Sequence, residues 1–194
     1  MKAMASVGVM LVLCGIVLAQ PQKKPPEPKP EPKPEPKGVE VKLDGMTSAA
    51  PASWVAEKPA NLLRAYQFRI PHVEGDKYDA EVYVLKNITG STEDNIARLK
   101  DMFVLPPDMP KEKAVQQTSM KLGKANLTIV DVQGTFLLKH IPIDKAAKET
   151  RPDYRMIGVI WLSMDDSLSI RLIGPKKTVE WHAKEFHEWL KNFK

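Results

Sequence analysis

The residues best suited to chemistry are four histidines and three polar groupings. The histidines are His72, His140, His182 and His187. A zinc hydrolase motif sets two histidines at i and i+4 on one helix face, with a glutamate between them. His182 and His187 stand five apart, about 140° around a helix axis, so they share no face. They read as solvated or half-buried side chains. Glu74, Asp76 and Asp79 share one loop, and Asp165 and Asp166 share one turn. Hard cations take such carboxylates, but no EF-hand pattern surrounds them, so they read as solvated turn acids. Gly174-Pro175-Lys176-Lys177-Thr178 falls at an expected helix start. Backbone donors there attract anions, which makes Lys176, Lys177 and Thr178 a candidate anion-binding set. The two lysines oppose the helix dipole, and the plainer reading is a strand-to-helix turn capped by Thr178. No Walker A spacing and no GxSxG nucleophile elbow occurs. The expectation is therefore no catalytic residue, no metal and no cofactor.

The elements that position these residues follow from periodicity. Residues 39–43 alternate weakly as an edge strand, and 45–51 are small and polar, as in a loop. Residues 63–70 read as a strand with Tyr66, Phe68 and Ile70 on one face and Gln67 and Arg69 on the other. A second strand covers 80–86, with Ala80, Val82 and Val84 on one face. Ser91 and Asp94 form a capping-box variant that opens a helix whose stripe is Ile96, Leu99, Met102 and Phe103. Pro106, Pro107 and Pro110 stop it. Strands follow at 115–122 and 126–138. In the second of these, apolar positions change parity between Ile129 and Val130, and Gly134 marks a bulge or a close backbone approach. Residues 140–153 form a polar connection limited by Pro142 and Pro152. Residues 154–163 and 168–173 pair as a hairpin, and Gly174-Pro175 breaks the second strand. The final helix presents Val179, Ala183, Phe186, Leu190 and Phe193. Hairpin-like strand runs broken by two main helices predict an α+β fold, a mainly antiparallel sheet with helices packed on it.

Ahead of this region lie two segments of different composition. Residues 7–19 are apolar and follow Lys2, the pattern of a signal peptide over 1–19, with cleavage between Ala19 and Gln20. The run is shorter than the ~20 residues of a membrane span. Two alternatives stand beside cleavage: retention as an anchor, and lipidation of Cys14, against which Leu13 and the apolar run beyond Cys14 both count. Residues 20–38 carry a repeated Glu-Pro-Lys-Pro unit and read as a disordered linker. Regular prolines favour an extended polyproline II rod, roughly 50 Å long for about sixteen of these residues at about 3.1 Å per residue. In composition the tract resembles the periplasm-spanning spacer of TonB-type proteins.

The chain of 194 residues carries a net charge of +5. Six lysines and three glutamates lie in residues 1–38, so the remainder holds 23 basic and 21 acidic residues. That near balance argues against nucleic-acid binding. Cys14 is the sole cysteine, so residues 39–194, read as a single domain, contain none and rest on packing alone.

A Trp and strand near the start, a hairpin, a mid-chain helix, further strands and a closing aromatic helix resemble the PsbP-like α/β/α sandwich. The matching pieces are 63–70, 80–85, 91–103, the hairpin within 154–173, and 179–193. The same order resembles exported bacterial proteins of that shape. The resemblance implies a non-enzymatic accessory or binding protein. Together these readings predict an extracytoplasmic envelope protein, periplasmic or secreted, whose partner is another envelope protein or a small ligand. Contact with the membrane follows only if the leader is retained or Cys14 is lipidated. The alternatives are an extracytoplasmic hydrolase with a site assembled from distant residues, and a membrane-anchored scaffold.

Overall fold

The computed structural model describes residues 38–138, 149–164 and 166–194. All of them belong to the unit Glu35–Lys194. The leader, Ala19 and Gln20, Cys14, the linker up to residue 37, His140 and Asp165 lie outside the described residues.

The architecture is α+β. Its main sheet takes the strands β3 (Val55–Glu57), β4 (Arg64–Ile70), β5 (Ala80–Lys86), β6 (Phe103–Val104), β7 (Val115–Leu122), β8 (Ala125–Leu138), β9 (Glu149–Leu162) and β10 (Ser167–Pro175). Their spatial order is β3-β4-β5-β10-β9-β8-β6, with β7 also paired to β8, and every pairing is antiparallel. A separate hairpin joins β1 (Glu40–Leu43) to β2 (Met46–Ala49). Its turn is Asp44-Gly45, both at positive φ, as a two-residue primed turn requires. Residues 45–51, expected as a loop, therefore contain a strand, because an Asp-Gly turn folds Met46–Ala49 back onto β1.

Three helices accompany the sheet: α1 (Thr92–Lys100), α2 (Lys111–Ala114) and α3 (Lys176–Lys191). The Ser91–Asp94 capping box is present in both directions. The helix stops at Lys100, earlier than its apolar stripe suggests, because Phe103 leaves it to pair with Phe136 as β6.

Two cores lie on opposite faces of the sheet. On one, α3 packs Val179, Phe186, Trp189, Leu190 and Phe193 over Val82, Val84, Leu127, Ile157, Val159, Trp161 and Ile170. On the other, Ile96 and Leu99 of α1 meet Val130, Val132, Met156 and Ile160. Burying each such side chain is worth about 1.5–3 kcal/mol. The α3 core is rich in aromatic rings: Trp189 lies 5.1 Å from Trp54, 5.9 Å from Phe186 and 5.2 Å from Phe193. Leu99 seats directly over Gly158, where a Cβ would come within 2.8 Å of its Cδ1. Ile129 and Val130 face opposite cores without any change of parity, since β8 is covered on both sides.

The irregularity of β8 lies further on, between Gly134 and Phe136. Gly134 there meets the Val104 carbonyl, 2.4 Å from where a Cβ would stand. Pro152 and Asp153 fall opposite this irregularity, with Asp153 at φ 54°. A bulge tolerates a proline because it leaves ladder positions unpaired. That is why β9 begins at Glu149, within residues expected to form a polar connection. Similarly, β10 continues through Gly174 and Pro175, which face Arg155 and Tyr154 of β9.

Candidate functional site

The helix α1 covers only the β8–β9 side of its sheet face. The rest of that face, on β3, β4, β5 and β10, sets the apolar Tyr83, Leu85 and Ile173 among Glu57, Arg64, Gln67, Arg69, Glu81 and Arg171, which stand at the alternate positions opposite the α3 core. At the end of the sheet where β4, β8 and β10 finish and β5 and β9 begin, this face opens into a cleft of about 360 Å³. Glu57, Arg69, Asp79 and Glu81 line one side, and Tyr78, Arg151, Tyr154, Phe136 and Leu138 line the other.

The polar side is one continuous network. Arg69 pairs with Asp79 at 3.0 Å and with Glu57 at 3.3 Å. Asp79 Oδ1 also accepts the His72 backbone N–H at 2.9 Å and lies 2.6 Å from His72 Nδ1. The His72 side chain, then its backbone N–H and Arg69, hold the Asp79 carboxyl down at about 2 against burial. Gln67 donates to Glu57 at 3.2 Å and accepts from the Ala60 N–H at 2.8 Å and from Arg64 at 2.9 Å. Arg64 completes the network on Glu81 at 2.5 Å and lies 3.9 Å from the centroid of the Tyr83 ring. Arg171 donates to the Tyr83 hydroxyl at 3.3 Å, and its contact with Met102 Sδ reaches the chain just beyond α1.

The aromatic side is built by β8 and β9. Tyr154 stacks on Phe136 at 5.9 Å with 8° between the rings, and burial raises the Tyr154 phenol pKa. Arg151 lies 4.1 Å from the centroid of the Tyr78 ring and pairs with Glu149. Hydrogen bonding to Arg151, then to Lys77, lowers the Tyr78 phenol pKa. Guanidinium planes and phenols of this kind recognise carboxylate and hydroxyl groups. The residues lining the cleft include no Ser, Thr, Cys or Lys; its carboxylates and phenols are Glu57, Asp79, Glu81, Tyr78 and Tyr154.

The carboxylates of the 72–79 loop diverge. Asp79 turns to His72 and Arg69, whereas Asp76 reaches the start of α3. Its Oδ2 accepts the Thr178 N–H at 2.9 Å and the Thr178 hydroxyl at 2.7 Å, and Thr178 Oγ1 accepts the Val73 N–H at 3.2 Å. Pro175 is the N-cap of α3, and Thr178 is a fully buried residue two positions inside the first turn rather than the cap. At this helix start, then, an anion is already seated: the chain's own Asp76. Lys177 lies above Gly75. Lys176 lines a separate pocket of about 240 Å³ with Lys113, Gln116, Asp131, Arg155 and Glu180.

The other histidines stand apart. His182 faces Glu185 at 3.1 Å, and Glu185 also accepts from Ser53 and Trp54. His187 is half-buried near Asp131, Arg155 and Lys191, and burial foremost lowers its pKa. Among the described residues no group of three or more His, Cys, Asp or Glu gathers to hold a metal, and no helix is long and apolar enough to cross a membrane.

Sequence reasoning did not single out Arg64, Glu57, Glu81 or Arg151. The polar alternation of β4 signalled Arg69 and Gln67, but Arg151 lay in residues read as a connection. In comparisons with known proteins, no family model matches the chain, and no curated protein matches it.

Proposed function

We propose that the chain is an exported, non-catalytic envelope protein that binds a ligand or partner segment through the cleft between Arg69 and Arg151. In this reading residues 1–19 direct export and residues 20–38 hold the domain away from a membrane or wall. A helix layer on each sheet face is the arrangement the PsbP-like resemblance implies, and the accessory role rests on that resemblance. The observation that carries the binding reading is the cleft itself: guanidinium and phenol groups fixed by mutual pairing. Preorganised groups of this kind suit recognition.

The test uses the exported protein. Its intact mass is expected to correspond to a start at Gln20; a start at Met1 sinks the cleavage reading. Capture from envelope extracts is expected to recover a component with the wild-type protein that an Arg69→Ala/Arg151→Ala variant of unchanged fold does not retain. Recovery of nothing above background, or equal recovery by both, counts against the cleft.

One observation favours a second reading, an extracytoplasmic hydrolase. His72 and Asp79 stand 2.6 Å apart at the cleft edge, the arrangement in which a carboxylate orients a general base. Water would then be the nucleophile. Turnover of an envelope substrate by the wild-type protein, abolished in His72→Ala, would establish this reading over the first.

A further inference from the structure

Beyond the cleft, we propose that the outer edge of β7, with the basic pocket at its head, docks an extended acidic peptide strand of a partner protein. β7 runs for 8 residues in unbroken register with β8, from Val115↔Val132 to Leu122↔Ala125. Among the described residues nothing pairs with its other side. Gln116, Gln117, Thr118, Ser119 and Lys121 are exposed. The two-residue turn Gly123-Lys124 makes Leu122 and Ala125 the closing hydrogen-bonded pair. The alternation then turns the N–H and C=O groups of Gln117, Ser119 and Lys121 outward. The Val115 N–H is instead committed to the Lys111 carbonyl.

Edge strands are ordinarily protected by shortness, lysine, proline or a bulge; β7 carries one lysine, Lys121, which repels a basic strand but not an acidic one. The remaining edges of this sheet follow that rule. β3 has 3 residues and Pro59 soon after it, and β6 has 2 residues and Pro106 soon after it. β7 has no proline and no register shift. Such an edge takes another strand by main-chain hydrogen bonding.

Charge decides between the occupants. Residues 111–124 hold four lysines against one glutamate. A second copy laid antiparallel on this edge would set Lys113 of each chain near Lys124 of the other, and like charges so placed repel. The proline-rich tract 21–37 holds five lysines against three glutamates, so it too would bring positive charge to a basic edge. An acidic strand meets neither obstacle. At the head of β7, Lys113 and Lys176 line the 240 Å³ pocket, and neither forms an ion pair with a described residue. Arg155 in the same pocket is already taken by Asp131 at 2.5 Å. Glu180 is the pocket's other acid, so the two ammonium groups leave one positive charge in excess, a seat for a carboxylate side chain at the end of the added strand.

The experiment titrates the exported chain with a blocked eight-residue peptide alternating glutamate and valine. The comparison probes are its lysine counterpart and the glutamate peptide N-methylated at alternate amides. The glutamate peptide is expected to bind about tenfold more tightly than the lysine peptide at low ionic strength, with the ratio shrinking in high salt. N-methylation is expected to abolish binding, Ser119→Pro to remove it, and Lys113→Gln/Lys176→Gln to weaken it about fivefold. Should Ser119→Pro fail to fold, the N-methylated peptide and the double lysine variant decide. Equal binding of both peptides, binding indifferent to N-methylation, or no binding at all overturns the proposal. A dimer in sedimentation that Ser119→Pro dissociates also overturns it, by assigning the edge to a second copy.

Discussion

Asp76 is the residue that joins the cleft loop to α3, and its removal gives a calculable loss. Its Oδ2 accepts two hydrogen bonds from Thr178, at 2.9 and 2.7 Å, at the positive end of a 16-residue helix whose N-cap, Pro175, supplies no side-chain bond. Losing a capping acceptor costs about 1 kcal/mol, and hydrogen bonds to a charged group are worth about 1.5–3 kcal/mol. With Asp76 itself partly solvated, Asp76→Ala is expected to cost about 2 kcal/mol in all. For a domain of this size that is a fall of about 4–8 °C in Tm, read by calorimetry or circular dichroism. Asp76→Asn keeps an acceptor and loses the charge, so it should fall about half as far. Glu74→Ala, in the same loop but exposed, is the control and should stay within about 0.5 kcal/mol. Millimolar inorganic phosphate should raise the Tm of Asp76→Ala and leave the wild type unmoved, because only the variant exposes the helix start. A Tm for Asp76→Ala within about 1 °C of wild type, or equal stabilisation of both proteins by phosphate, refutes the reasoning.

Three further outcomes follow from the packing and charges. Asp79 ionises at about 2 instead of 3.8, so its contribution is complete above the ordinary value and is lost as pH falls from about 4 toward 2. Solvent screening limits it to about 1 kcal/mol, and Asp79→Asn should flatten the acid limb of urea midpoints across that window. The pKa of His187 is depressed by burial, with Lys191 and Arg155 adding to the effect and Asp131 opposing it. Folding therefore disfavours its proton, stability declines as pH drops through about 6.5, and His187→Gln should remove that slope between pH 7.5 and 5. Gly158→Ala sets a methyl group 2.8 Å from Leu99 Cδ1 and should cost about 1–3 kcal/mol by overpacking. Combining it with Leu99→Val should cost less than the two changes summed, as a double-mutant cycle will read.

The elements with clear periodicity were legible in the sequence, and for a physical reason. β4 and β5 each bury one face against α3, so Phe68, Ile70, Val82 and Val84 alternate with polar or less buried neighbours. α3 shows a full helical stripe, and the Ser91 box is a local interaction that the sequence carries by itself. What was not legible depended on partners far along the chain. Met46–Ala49 is a strand because β1 lies beside it, and the backbone of Thr47 exchanges hydrogen bonds with Lys194 at 2.8 and 3.1 Å. The start of β9 was obscured by Pro152, whose place is permitted only by the irregularity of β8 across from it. The apparent parity change at Ile129 was a sheet covered on both faces, which a single-faced pattern cannot express. For the candidate site, Asp79 was visible among the acids of its loop and His72 among the histidines, but their pairing at 2.6 Å was not. The cross-strand pairing of Arg69 with Glu57, and of Arg64 with Glu81, depends on strand register and was not.

The middle of β9 belongs to both cores at once. Ile157, Val159 and Trp161 face α3, while Met156 and Ile160 face α1, and all five are almost fully buried. Loosening either helix layer therefore wets the same strand and weakens the opposite layer with it. The two cores are therefore expected to melt as one cooperative unit, with the amides of Met156–Trp161 exchanging only through global opening, as hydrogen exchange under native conditions will read.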